Sequence, residues 1–209
     1  MTLDKDPKER LKWIYKAEGV EDLQSRYDLW AEEYEKDVSS YGYKIPAVVA
    51  GFLGRYLRPI DGTILDAGAG TGIMGEMLSL LSYQEMVAID ISPGMLELAK
   101  QKGIYREIHQ MTLGKHLDFP DDFFAGVIAT GVLSIGHAPP ESFSELIRCT
   151  RPGGIIIFSV RADAAGFKNA QDELEKAKKW QLIEETAPFT SLPLGEPDIQ
   201  HKVFVYRVI

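Results

Sequence analysis

The 209-residue sequence has a single cysteine, Cys149. One thiol can neither close an internal disulfide nor furnish a cysteine-based zinc site. The four histidines, His109, His116, His137 and His201, fall at no metal-binding spacing, and no His-Glu-x-x-His segment occurs, so no protein metal centre is expected. Apolar runs stay below the roughly 18 residues that a spanning helix needs. Residues 1–10 are rich in charge, so no secretory leader is expected, and the expected compartment is cytoplasmic, with the nucleus also open. Positive charge is in deficit. With 31 Asp and Glu against 23 Lys and Arg, the formal net charge is −8. Such a field repels polyanions, so neither nucleic acid nor an anionic membrane is an expected partner. Repeats and low-complexity tracts are also lacking, and the chain reads as one continuous unit.

What is present is an ordinary globular composition, 45% hydrophobic and 26% charged. Residues 1–60 read as helical and are expected to form a cap or lid on the remaining unit, 61–209. Pro7 opens an amphipathic segment with Leu11, Ile14 and Tyr15, which Gly19 ends. A second begins near Asp22 and carries Leu23, Tyr27, Trp30, Ala31 and Tyr34 at helical spacing. A third runs from Pro46 to Leu57 and stops before Pro59. From residue 63 the period changes. Short β-branched runs at 63–67, 86–90, 105–111, 126–130 and 155–160 alternate with helical segments at 73–81, 93–102 and 140–150, the pattern of a parallel sheet with crossover helices. A further helix reaches about residue 179, and a strand over 180–186 follows. A turn with Pro188, Pro193, Gly195 and Pro197 leads to a closing strand over 202–209. That turn is too short for a crossover, which makes the last two strands antiparallel neighbours.

The strand over 63–67 runs into Asp66-Ala67-Gly68-Ala69-Gly70-Thr71-Gly72 and then a helix. Glycines at alternate positions let the backbone turn sharply and let a ligand approach without interference from a Cβ, with helix N–H groups toward the crevice. Asp90 ends the next strand, 22 residues after Gly68. An acid there can accept both hydroxyl hydrogens of an adenosine ribose. Gly70, Gly72 and Gly75 also satisfy the dinucleotide pattern G-x-G-x-x-G, and spacing does not separate the two ligands. Two other features favour a nucleoside without a diphosphate. Asp66 is a poor neighbour for pyrophosphate and a good acceptor for an ammonium group, and the chain has neither room for a dehydrogenase catalytic domain nor a Tyr-x-x-x-Lys pair after the fourth strand.

The segments 66–72 (DAGAGTG), 87–95 (VAIDISPGM), 130–133 and Arg151-Pro152-Gly153-Gly154 resemble the consecutive motifs of class I S-adenosylmethionine-dependent methyltransferases. More narrowly, Tyr27-Asp28-x-Trp30-Ala31-x-x-Tyr34, Tyr41-Gly42-Tyr43, residues 131–139 and the ending Val203-Phe204-Val205-Tyr206-Arg207 resemble the methyltransferase-like proteins named for the Williams–Beuren syndrome chromosomal region. The resemblance implies a three-layer Rossmann-like α/β sandwich on a seven-stranded, mostly parallel sheet in the order 3-2-1-4-5-7-6. It implies S-adenosylmethionine as cofactor and S-adenosylhomocysteine as product, without a metal. Laid onto matching positions, Gly68, Gly70 and Gly72 would pass beneath the methionine and ribose portions, with Asp66 and Ala67 beside them. Asp90 would hold the ribose, and Ile91 and Met95 would cover the adenine. The acid that many members carry after the third strand is replaced here by Met111-Thr112-Leu113, so Thr112 and Leu113 would take over adenine contacts.

In open parallel sheets the crevice lies beyond the carboxyl ends of the strands. Residues 130–137, after the fourth strand, should therefore border cofactor and acceptor, with Thr130 and Gly131 on the cofactor side. His137 is the candidate general base, although a helix-approach role before Pro139 and Pro140 also fits. No Asn-Pro-Pro-Tyr or Asp-Pro-Pro-Tyr follows the strand, which argues against DNA-base or glutamine acceptors. Of the aromatic stripe, Tyr27 and Trp30 are expected on the cofactor side, with Tyr43 a weaker third, against ordinary packing for the rest. The 188–198 turn is a candidate acceptor-specificity loop or a plain connection. The expected activity is methyl transfer to a small-molecule acceptor. A protein acceptor, a cofactor-binding module without catalysis and a nicotinamide-binding module are the alternatives.

Overall fold

The computed structural model describes residues 6–134 and 136–209. The first five residues of the charged opening, and residue 135 within the 130–137 stretch, lie outside them. Among the described residues, seven helices, α1 (Pro7–Ile14), α2 (Val20–Ser40), α3 (Ile45–Tyr56), α4 (Ile73–Leu80), α5 (Pro93–Gln101), α6 (Ser142–Cys149) and α7 (Ala165–Lys176), accompany one sheet. Its strands are β1 (Ile64–Ala67), β2 (Met86–Asp90), β3 (Glu107–Gln110), β4 (Phe124–Ala129), β5 (Thr150–Arg161), β6 (Trp180–Glu185), β7 (Phe189–Thr190) and β8 (Gln200–Val208). The order is β3-β2-β1-β4-β5-β8-β6, with β7 paired to β8. β8 runs antiparallel to β5, β6 and β7, while β1 to β5 are mutually parallel.

Strand periodicity sorts side chains into two cores. Along β5, Ile155 and Ile157 face one layer and Ile156 and Phe158 the other. Along β8, Val203 and Val205 part from Phe204 and Tyr206 in the same way. One core meets α3 and α4 through Val49, Leu53, Met74 and Leu78. The other meets α6 and α7 through Phe143, Leu146 and Phe167, where Phe143, Phe158, Trp180 and Tyr206 form a ring cluster. The result is the three-layer α/β sandwich expected from the sequence. Among the described residues the strand count differs: eight, not seven. β8 extends past the end of β6, and its exposed ladder at Gln200 and His201 is completed by Thr190 and Phe189 from the proline-rich turn. Two residues are too few for a period-2 signal.

Of the three N-terminal helices, α3 packs on α4, β5 and β8 as a sheet layer, while α1 and α2 rest above the strand ends with a core of their own around Leu11, Ile14, Leu23 and Trp30. That small core is organised by a buried network. Arg10 Nε and Nη2 donate to Asp37 at 2.5 and 2.7 Å, and Trp30 Nε1 donates to the same carboxylate at 2.7 Å. Among the described residues no helix is long and apolar enough to cross a membrane.

Candidate active site

β1 ends within the sheet, and the chain turns through Gly68, Gly70 and Gly72 at φ of 83°, 55° and 88°, all left-handed. A Cβ on Gly68 would stand 2.6 Å from a methyl of Val132, so the loop lies against the segment after β4 only because it has no side chain there. A Cβ on Gly70 would meet nothing within 4 Å, because this position faces an open chamber. The Gly70 N–H donates to Asp90 Oδ2 at 2.8 Å, and Ser92 N donates to Asp90 Oδ1 at 2.9 Å. Each oxygen therefore keeps a lone pair for a further donor, which suits a ribose diol. Burial pushes the Asp90 carboxyl up, and the backbone donors work against that shift.

Asp66 lies behind the loop. Its Oδ2 accepts from Tyr105 Oη at 2.6 Å, and Tyr105 Oη in turn accepts from Gly75 N at 3.1 Å. Its Oδ1 is buried without a partner. Burial, opposed by the Tyr105 hydrogen bond and helped by Asp90, raises the Asp66 carboxyl to about 7. This arrangement bears on the two ligands that spacing left open. The first turn of α4, where a pyrophosphate would sit, already gives the Gly75 N–H to Tyr105 and stands next to a buried acid. The orphaned Oδ1 fits an ammonium group instead.

Two chambers meet above the strand ends. The first, of about 410 Å³, is lined by Tyr27, Gly68, Gly70, Asp90, Ile91, Met95, Thr112, Leu113, Thr130, Gly131 and His137, together with Val20, Leu23, Tyr34, Lys115 and Glu141, which sequence reasoning had not assigned. The second, of about 380 Å³, lies between α1–α2 and the ends of β4, β5 and β8. Tyr27, Tyr34, Gly131 and His137 border both. Four expected cofactor residues are placed off the first chamber. Trp30 faces the second, with its indole N–H bound to Asp37. Asp66 sits behind the loop, and the Ala67 side chain is buried in the core of the sheet. Gly72 precedes α4 and packs toward Tyr105 and Ala99. Tyr43 lines the second chamber, and a Cβ on Gly131 would collide with its hydroxyl. His137 Nδ1 lies 3.0 Å from Ser134 Oγ, and its ring meets Tyr15 and Tyr27 edge-on. Among the described residues, no cluster of His, Cys, Asp and Glu could hold a metal ion.

A doubly wound sheet with a glycine loop after its first strand and an acid at the end of its second is the architecture of class I S-adenosylmethionine-dependent methyltransferases. Residues 65–158 match the family described as methyltransferase domain. The chain is 32% identical over 177 residues to Methyltransferase-like protein 27 of Homo sapiens, covering 79% of this chain and 72% of that protein. It is 30% identical over 142 residues to the malonyl-acyl-carrier-protein O-methyltransferase of Serratia marcescens, covering 67% and 54%. Among solved structures, the 4+2 cyclase SpnF superposes with a TM-score of 0.67 at 15% identity, over 92% of this chain and 97% of that one, a likeness of fold alone. The chain belongs to the S-adenosylmethionine-dependent methyltransferases, within the methyltransferase-like family of the Williams–Beuren syndrome chromosomal region. That membership implies the cofactor, and three features fit it: the open face of the first chamber at Gly70, the anchored Asp90 carboxylate on its wall and, behind the loop, the unpartnered Asp66 Oδ1.

Proposed function

We propose that the protein transfers the methyl group of S-adenosylmethionine to a small-molecule acceptor where the two chambers join. The observation that carries this reading is that Tyr27, Tyr34, Gly131 and His137 line both chambers. When bound, the cofactor supplies a methyl carbon on a positively charged sulfur, an already activated leaving group. The protein's part is then to bind, orient, exclude water and manage one proton. Gly68, Gly70, Asp90, Ile91, Met95, Thr112 and Leu113 would hold the nucleoside, and Asp66 supplies charge for the ammonium group. The Tyr27 and Tyr34 rings exclude water and offer faces that favour a cation. Burial holds both phenols protonated, so they do not compete as nucleophiles. His137, whose Nδ1 lies 3.0 Å from Ser134 Oγ, is the imidazole at the junction that would take the proton an oxygen or nitrogen acceptor loses on methylation.

A lidded second chamber of about 380 Å³ and the acidic net charge support a small acceptor over a macromolecule. One observation favours a second reading, a cofactor-holding module without methyl transfer: the same fold serves a protein named as a cyclase. Incubation with methyl-labelled S-adenosylmethionine and either a metabolite extract or a protein extract separates the readings. We expect label in the small-molecule fraction and stoichiometric S-adenosylhomocysteine. Label confined to protein would move the acceptor class, and cofactor binding without product in either extract would leave the module. His137→Ala is expected to lower turnover about a hundredfold or more, well beyond any change in S-adenosylhomocysteine affinity at this wall of the first chamber.

A further inference from the structure

The second chamber is walled by five aromatic rings, Tyr15, Tyr27, Trp30, Tyr34 and Tyr43, and by aliphatic side chains such as Ile14 and Leu192. Its volume is at the small end for a ligand site, the space of one or two fused rings. Among the described residues that line it, Arg161 and Asp163 are the only Lys, Arg, Asp or Glu. They neutralise each other through two bonds, Nε to Oδ1 at 3.0 Å and Nη2 to Oδ2 at 2.7 Å.

The remaining polar groups are hydroxyls, the Trp30 indole and the imidazoles of His137 and His201. Ser191 Oγ and His201 Nδ1 are 2.8 Å apart, joining the 188–198 turn to β8 at a point that borders the second chamber and not the first. Burial, with the Arg161 guanidinium adding to it, pushes the His201 imidazole down to about 4, so it is uncharged at neutral pH. Burial also holds the Tyr15 and Tyr34 phenols protonated. A carboxylate entering here would have to displace Asp163 from Arg161 or lie desolvated among rings, and an ammonium group would meet the guanidinium that disfavours charge on His201.

We propose that the acceptor is an uncharged molecule of one or two fused rings carrying a hydroxyl or carbonyl group, which the Ser191–His201 pair holds by hydrogen bonds while its other end reaches the Tyr27–His137 junction. The inference rests on the methyltransferase reading for the use of the chamber, and its chemistry rests on the chamber itself. His201 and Ser191 act as positioning residues, and the 188–198 turn as the element that sets acceptor choice.

Three probes of one shape test it: 2-naphthol, 2-naphthoate and 2-naphthylmethylammonium, each measured by equilibrium dialysis against the full chain with and without saturating S-adenosylhomocysteine. The expected result is that 2-naphthol binds best, by about tenfold over either ion. It should also shift the His201 imidazole resonances, and His201→Leu or Ser191→Ala should weaken it about tenfold without changing S-adenosylhomocysteine affinity. Should His201→Leu fail to fold, the resonance shift in the unmodified protein decides. Either ion binding as tightly as naphthol, no binding of any probe, or naphthol binding that leaves His201 unperturbed overturns the proposal. Failure of the methyltransferase reading shows separately, as absent S-adenosylhomocysteine binding or absent label transfer.

Discussion

Asp28 of the lid helix α2 caps a helix of the sheet domain: its Oδ1 accepts from Ser92 Oγ at 2.5 Å and from Gly94 N at 2.8 Å, at the start of α5. The residue before it, Tyr27, borders both chambers. The lid is therefore pinned beside the strand-end acid Asp90 by a hydrogen-bonded cap.

Removing that pin is expected to loosen the lid. Asp28→Ala should cost about 1 kcal/mol of stability, the usual scale for a lost helix cap, and weaken S-adenosylhomocysteine binding several-fold in calorimetry. Gly94→Ala should act in the same direction, since its Cβ would stand 3.0 Å from the Asp28 backbone. Lower stability with unchanged affinity in both variants would show that the pin has no part in holding the ligand.

Asp66 gives a pH dependence with a definite sign. Its carboxyl titrates at about 7 in the fold against an ordinary 3.8. Between those values the folded chain keeps a proton that the unfolded chain has released. The stability that this group contributes to the ligand-free protein is thus fully present below pH 3.8 and is lost progressively as pH rises through about 7. An ammonium partner favours the charged form, so S-adenosylhomocysteine affinity should strengthen from pH 6 to pH 7.5 with proton release on binding, and Asp66→Asn should flatten the profile. Calorimetry in two buffers of different ionisation enthalpy measures the proton; a flat profile in the unmodified protein would exclude Asp66 as the ammonium partner.

The loop glycines should separate folding from binding. Gly68→Ala drives a methyl into Val132 and is expected to cost about 1–3 kcal/mol, as overpacking does, on top of the roughly 1–2 kcal/mol of its left-handed backbone. Gly70→Ala meets no protein atom and should cost only the roughly 1–2 kcal/mol of a left-handed backbone. Its methyl points into the first chamber, so cofactor affinity should fall about tenfold or more. Urea unfolding read beside ligand titration distinguishes the two, and equal loss of affinity per unit of lost stability would contradict the contrast.

In the core of α1 and α2, Asp37→Ala removes the carboxylate that accepts from both Arg10 Nε and Nη2 and from Trp30 Nε1, in a place where Arg10 as a residue is 6% exposed. Breaking a buried pair in this way costs about 3–5 kcal/mol; Glu33, 3.9 Å from Arg10, should hold the loss to the lower end. Trp30 loses its indole partner at the same time, so its fluorescence reports the change directly. A loss under about 1 kcal/mol would mean that the network contributes little.

Much of the fold was legible because it is written in local patterns. The β-branched run at 155–160, the break of period at residue 63 and the strand-loop-helix-strand stretch from Asp66 to Asp90 are each contiguous in the sequence. β7 escaped because two residues carry no period. Tyr34 carried a usable signal: at 3.6 residues per turn, seven residues return it to within about 20° of Tyr27, whereas three leave Trp30 about 60° round the helix. The same geometry explains why Tyr27 and Tyr34 border both chambers while Trp30 borders the second alone.

The amino-acid sequence by itself determined the alternation of parallel strands with crossover helices, the glycine loop and its acidic partner, because hydrophobic period and backbone freedom at glycine act over a few neighbouring residues. Only the tertiary structure decided that Tyr105 fills the end of α4, that Asp28 pins the lid and that Ser191 meets His201 in a ring-walled chamber. Those contacts join residues from separate elements, and their energies exist only after hydrophobic burial has brought lid, loop and sheet edge together.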